Sequence, residues 1–257
     1  MTFAQRYGPW ALVAGASEGL GAAFARLLAA RGLDVVLVAR RPGPLDELAA
    51  SLPTRTRVVA ADLATTDGLA AVARATDDLE VGFVVANAAY SAIGPFATAD
   101  PEALERVLDL NCRAPLRLAR AYLPAMVERG RGGLVVMSSV AGNQGLPRLS
   151  TYAASKAFGM VLAEGLWAET RHTGVHVLAC AAGAVSTPAL AREKANRTPG
   201  ELSPDRVAAA ALRALGRGPL VVPGAVTRLS AGFLSRVLSK AAAIRLMERA
   251  SQDVRSP

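Results

Sequence analysis

Trp10-Ala11-Leu12-Val13-Ala14-Gly15-Ala16-Ser17-Glu18-Gly19-Leu20-Gly21 is the stretch from which the rest of the chain can be read. Five apolar residues in a row suit a strand buried on both faces. Glycines at 15, 19 and 21 follow at once, and an Ala-rich helical pattern opens on them. Glycine lets the chain turn tightly and lets its backbone come close to a bound phosphate, which the free N–H groups and positive dipole end of the helix would meet. A strand, a glycine turn and a helix in that order form the first unit of an alternating α/β chain.

The alternation continues outward from this unit. Apolar, largely β-branched runs predict seven strands, at residues 10–14, 34–39, 56–60, 81–86, 133–138, 175–180 and 220–222. Between them lie amphipathic patterns that predict helices at 19–31, 45–51, 66–75, 101–129, 151–172 and 204–215, with Gly32 and Gly174 as C-caps of two of them. Right-handed crossovers then place helices on both faces of a parallel sheet and ligands at the carboxyl ends of the strands. The fold class is α/β, a single doubly wound domain over residues 1–223. Residues 224–257 form a basic amphipathic tail, either part of the same domain or a lid or interaction helix.

Composition narrows the function. With 257 residues and 52% hydrophobic content the chain supports one sizeable core. The net charge of +8 is scattered along helices and aromatics are only 5%, which argues against a nucleic-acid surface. Cys112 and Cys180 have neither metal-ligand spacing nor a partner framework, and this usage fits a reducing cytoplasm. No secretory signal opens the sequence, and charges interrupt every apolar stretch before membrane-spanning length.

The glycine spacing, G-x-x-x-G-x-G, resembles that of the classical short-chain dehydrogenase/reductase family, and the resemblance extends from Trp10 to about Thr187. It implies a Rossmann-type domain and a nicotinamide dinucleotide held by Gly15, Ser17, Glu18, Gly19, Leu20 and Gly21. At the end of the second strand, where an NAD site offers a carboxylate to the ribose, this chain has Ala39 followed by Arg40 and Arg41. Guanidinium groups grip a 2′-phosphate, so the expected cofactor is NADP(H). By the resemblance Asp62-Leu63 meets the adenine. Asn87-Ala88-Ala89 stands for the family's Asn-Ala-Gly, with Ala89 a departure. Gly183, Val185 and Thr187 stand for the segment beside the nicotinamide, where Ala182 replaces the usual proline.

Tyr152 and Lys156 are four residues apart and share one helical face. A phenol titrates near pH 10 and is a poor acid–base catalyst at neutrality unless a neighbouring cation favours the phenolate. The resemblance assigns proton transfer to Tyr152, pKa tuning and ribose binding to Lys156, and polarisation of the substrate oxygen to Ser139. Alternation along the strand sends Ser138 to the opposite face. Asn111 completes the set. Pro115 has no N–H for its carbonyl, so the helix should kink there and free that carbonyl for a water, which the resemblance implies is part of a proton relay.

The expected activity is hydride transfer between nicotinamide and a carbonyl or secondary alcohol of a hydrophobic small molecule, by a homodimer or homotetramer. Ile93, Phe96, Leu146, Leu149, Pro188 and Leu190 suggest an apolar pocket, Arg148 an alternative contact for an anionic substituent, and 187–203 a closing segment. Other readings are a non-catalytic NADP(H) sensor or a membrane-surface protein. The last rests on the tail, where Leu229, Phe233, Val237, Leu238, Ala241 and Ile244 make an apolar stripe flanked by Arg228, Arg236, Lys240, Arg245 and Arg249. A lid or packing helix is favoured over peripheral membrane contact. His172 and His176 are separated by Gly174 and are read as surface groups rather than metal ligands.

Overall fold

Strand runs that are apolar at every position must be covered on both sides, and this requirement organises the molecule. In the computed structural model, which describes residues 1–193, 200–236 and 239–251, seven parallel strands form one sheet. They are β1 (Trp10–Ala14), β2 (Asp34–Ala39), β3 (Thr56–Ala60), β4 (Val81–Ala86), β5 (Gly132–Ser139), β6 (Val175–Ala182) and β7 (Leu220–Val221). The order β3-β2-β1-β4-β5-β6-β7 reverses between β1 and β4, which opens a crevice at their carboxyl ends. Alternate residues of each strand feed two cores. Val35, Leu37 and Phe83 pack with Phe24, Leu28 and Val207 on one face, while Leu12, Val36 and Val84 pack with Met126 and Ala163 on the other.

The helices are α1 (Phe3–Tyr7), α2 (Gly19–Ala29), α3 (Pro42–Ser51), α4 (Thr66–Arg74), α5 (Pro101–Leu108), α6 (Ala114–Glu128), α7 (Ser150–Thr170), α8 (Pro188–Glu193), α9 (Pro204–Ala214), α10 (Ala225–Arg236) and α11 (Lys240–Ser251). Three departures from the sequence reading have physical causes. The short α1 is too brief to show periodicity, and a reciprocal Thr2–Gln5 capping box holds it in place. β6 runs to Ala182 because its pairing with β5 continues through Ser139. The predicted helix at 101–129 is two helices joined by a π-helical turn, Asp109–Arg113, in which the Ala114 N–H reaches back to the Asp109 carbonyl. The break expected beside Pro115 therefore takes the form of a widened, π-helical turn.

The tail is likewise two helices rather than one stripe. Ser239 accepts the Ala242 N–H and so caps the start of α11. Leu229 and Phe233 face solvent, whereas Ile244 lies next to Gly145 and Ala243 is buried. Val237 and Leu238, the side chains of Arg236 and Arg249, and residues 194–199 of the expected closing segment are outside the described residues. His176 is not a surface group. It is half-buried, with its Nδ1 2.6 Å from the hydroxyl of Tyr7, while His172 is exposed and bonded to Arg171.

Candidate active site

The three glycines of the first turn serve different needs. Gly15 has φ +76°, and a Cβ there would stand 2.8 Å from the Cα of Ala88. Gly19 has φ +56° and would meet the Thr187 methyl at 2.9 Å. Gly21 lies off the groove: its Cβ would fall 1.9 Å from the Gly15 carbonyl oxygen, so it is the point at which α2 closes onto β1. The Asn87 amide donates to the carbonyls of Ala14 and Gly15 and ties the ends of β1 and β4 together. Glu18, at the N-cap of α2, makes no side-chain cap, so the first-turn N–H groups keep their anion-binding capacity.

These elements wall a groove of about 510 Å³ at the topological switch point. Ser17, Glu18, Leu20, Arg40, Arg41, Asp62, Leu63, Ala88 and Thr187 line it together with Gly15, Gly19 and Asn87. Gly183 and Val185 are elsewhere. Gly183 packs against Thr227 of α10, and Val185 is buried and bridges to Leu202. At the far end of the groove Arg40 is exposed, while the Arg41 guanidinium bonds the Glu18 carboxylate at 3.2 Å. Burial would raise the Asp62 carboxyl, but a 2.7 Å bond from Arg106, the Ala64 N–H and the charge of Arg40 hold it below its ordinary value. Arg106 was not visible as a site residue, since 44 positions separate it from Asp62. The groove suits an extended dinucleotide: its volume is that of a cofactor site, its glycines leave room where a Cβ would intrude, and guanidinium groups stand at one end.

A second cluster sits where β5 meets α7. Lys156 is buried, donates to the Met137 carbonyl at 3.1 Å, and holds its ammonium 5.5 Å from the centre of the Tyr152 ring. Burial pushes its pKa down to about 8, with the charge of Cys112 opposing. The alternation of β5 separates its two serines: Ser138 is buried and donates to the Lys156 carbonyl at 2.6 Å, whereas Ser139 accepts the Ala141 N–H at 3.2 Å. Because that bond uses an oxygen lone pair, the Ser139 hydroxyl proton is left for another acceptor.

The side chain of Asn111 is fully engaged. Its oxygen accepts the Tyr90 N–H at 2.8 Å, and its amide donates to the Tyr90 carbonyl and to the hydroxyl of Ser155, each at 2.9 Å. Ser155 in turn donates to the Tyr152 carbonyl at 2.7 Å. This buried clamp joins the segment after β4 to the first turns of α7. Ser155 escaped the sequence reading because an isolated serine inside a helix carries no local signal.

Around this cluster Leu146 is buried, and Ile93, Leu149 and Leu190 are half-buried, while Phe96 and Pro188 are exposed. Thr187 uses its hydroxyl to accept the Leu190 N–H at the start of α8. From the tail, α10 packs on the 3-10 turn Val140–Asn143, directly after Ser139.

Comparison with known proteins identifies the family and the fold. The family model for short chain dehydrogenases matches residues 9–198. A 7beta-hydroxysteroid dehydrogenase of Clostridium sardiniense is 36% identical over 198 residues, covering 76% of this chain and 76% of that protein. A solved 7beta-hydroxysteroid dehydrogenase superposes with a TM-score of 0.90 at 28% identity, over 96% of this chain and 99% of the other. A short-chain dehydrogenase from Sphingobium yanoikuyae, solved in complex with NADPH, gives 0.79 at 33% identity over 90% and 97%.

Proposed function

Because the chain belongs to the short-chain dehydrogenase family, we propose that it is an NADP(H)-dependent oxidoreductase that interconverts a ketone and a secondary alcohol on an apolar small molecule. The observation that carries this reading is the buried Lys156 ammonium held 5.5 Å from the Tyr152 ring.

When bound, the nicotinamide exchanges a hydride with the carbonyl carbon. Tyr152 gives its phenolic proton to the carbonyl oxygen during reduction and takes one back during oxidation. The adjacent ammonium stabilises the phenolate and brings a group that ordinarily titrates near 10 closer to neutrality. Ser139 donates its free hydroxyl proton to the same oxygen and so favours the charge that develops there. With its side chain committed to Tyr90 and Ser155, Asn111 has its backbone carbonyl left for a relay water, since Pro115 offers it no N–H. Gly15, Ser17, Gly19, Leu20, Asn87, Ala88 and Thr187 cradle the dinucleotide, with Asp62 and Leu63 at the adenine.

Preference for the phosphorylated cofactor rests on Ala39, Arg40 and Arg41; Arg41 must exchange its Glu18 partner for the phosphate. The steroid dehydrogenase relatives and the apolar surroundings of Leu146 support a hydrophobic ketone. Apolar side chains exposed on α6 and α7, Leu116, Phe158 and Val161, support assembly as a homodimer or homotetramer. Two free thiols, Cys112 and Cys180, fit a cytoplasmic setting. Among the described residues no helix is long and apolar enough to cross a membrane.

Stopped-flow NADPH oxidation across a ketone panel tests the activity and separates an enzyme from a silent cofactor sensor. Tyr152→Phe should retain NADPH binding and lose about 100-fold or more in kcat. An unchanged kcat removes Tyr152 from proton transfer.

A further inference from the structure

The loop 144–149 spans the two halves of the catalytic cluster, from the turn that follows Ser139 to the start of α7, which carries Tyr152. Within it Arg148 has φ +65°, and among the described residues no other non-glycine residue has positive φ. Glycine and asparagine adopt this region with little strain; an arginine has to be held there. The holding contacts come from outside the residue. Its carbonyl accepts the Gly94 N–H at 2.9 Å, and the Leu149 N–H closes onto Leu146 at 3.1 Å. The segment after β4, the loop after β5 and the first turn of α7 therefore converge on Arg148. Strain maintained in this way is concentrated at ligand sites.

The side chain supplies a second, independent observation. Arg41, Arg55, Arg57, Arg106, Arg113, Arg129 and Arg131 all pair with carboxylates. Arg148 as a residue is half-buried, yet no hydrogen-bond or ion-pair partner is found for its guanidinium among the described residues. Its neighbours along the chain are apolar: Pro147 and Leu149 flank it and are half-buried, and Leu146 is buried. A turn alone would be better served by glycine, so the side chain is the part of this position that the backbone does not require. A part-buried, uncompensated fork of N–H donors matches an oxyanion.

We propose that Arg148 binds an oxyanion, a carboxylate or phosphate, carried by the substrate away from its reacting carbonyl, so that the preferred substrate is an apolar ketone or alcohol with one anionic end. This rests on the reading of the site as a ketone reductase, and the test separates the two. One apolar ketone skeleton is prepared with a terminal carboxylate, a phosphate monoester or a methyl ester. Dissociation constants of the corresponding alcohols are measured in dead-end complexes with NADPH by the fluorescence of the bound cofactor, and steady-state kinetics are run on the ketones.

The native protein should bind at least one anionic form about 10-fold or more tighter than the methyl ester, and whichever anion wins identifies the class. In Arg148→Gly, which keeps the backbone free to adopt positive φ, that anion should weaken about 10- to 100-fold while the ester changes less than about twofold. The kinetic loss should fall on KM rather than kcat, as for an interaction made equally in ground and transition states. Arg148→Asn, whose residue type also tolerates this backbone region, should behave in the same way and guards against an effect peculiar to glycine. No anion-over-ester preference in the native protein, or equal losses for ester and anion in the variants, overturns the proposal. Discrimination in binding without reduction of any ketone would instead count against the reductase reading and leave Arg148 as an oxyanion-binding residue.

Discussion

Replacing Lys156 with methionine should make the ligand-free protein respond differently to pH while ending turnover. The unfolded chain holds this ammonium at its ordinary 10.5, whereas burial brings it to about 8 in the folded protein. A gap of roughly 2.5 units corresponds to about 3 kcal/mol, by which the folded state at neutral pH is disfavoured for carrying the charge. Between pH 8 and 10.5 the unfolded state binds more protons, so the contribution of Lys156 to stability rises with pH across that window. Below pH 8 the penalty is complete and constant. Methionine has similar length and no charge, and it lacks the bond to the Met137 carbonyl. Its packing and lost hydrogen bond shift stability by an amount that does not depend on pH. The informative quantity is therefore a difference of differences: native stability minus variant stability should increase by about 2 to 3 kcal/mol from pH 7 to pH 10. Urea unfolding of both proteins at the two pH values measures it. A stability difference that does not move with pH would show that the ammonium is not desolvated, and the argument for Lys156 as a buried electrostatic partner of Tyr152 would fall with it.

Other consequences are open to direct measurement. Arg40→Ala should weaken NADPH far more than NADH, and Glu18→Gln, by releasing Arg41, should tighten NADPH a few-fold; fluorescence titration with both cofactors would expose the error if the two nucleotides shifted alike. Gly21→Ala drives a Cβ against the Gly15 carbonyl and should cost about 3 kcal/mol or more together with cofactor binding, whereas Gly43→Ala, inside α3 with open space around it, should be neutral to slightly stabilising by thermal melting. Tyr7→Phe leaves the half-buried Nδ1 of His176 without its 2.6 Å partner and should cost about 1–2 kcal/mol in urea, with kcat untouched because this pair lies at the amino end of β6, opposite the cleft.

Much of the protein follows from short-range pattern. Seven apolar runs alternate with amphipathic ones, and a run buried on both faces has few alternatives to a covered parallel sheet, so the strands lie where periodicity puts them, within two residues. The glycine turn, Ala39 with the two arginines that follow it at the end of β2, and Tyr152 with Lys156 one helical turn apart are equally local, because spacing along a regular element determines which side chains are neighbours.

Tertiary packing decided what no window of sequence contains. Arg106 on α5 reaches Asp62 after β3, and Glu18 meets Arg41 across the groove mouth. Asn111 and Ser155, 44 positions apart, form one clamp, and the break beside Pro115 is a π-helical turn, a form that local rules do not specify. The division of the tail into two helices and the left-handed backbone of Arg148 belong to the same class. The physical reason is common to all of them. Hydrophobic periodicity places each element on the sheet, but hydrogen bonds and charge pairs between elements form only once loop closure has brought distant segments together, and their energies depend on burial that the assembled cores supply.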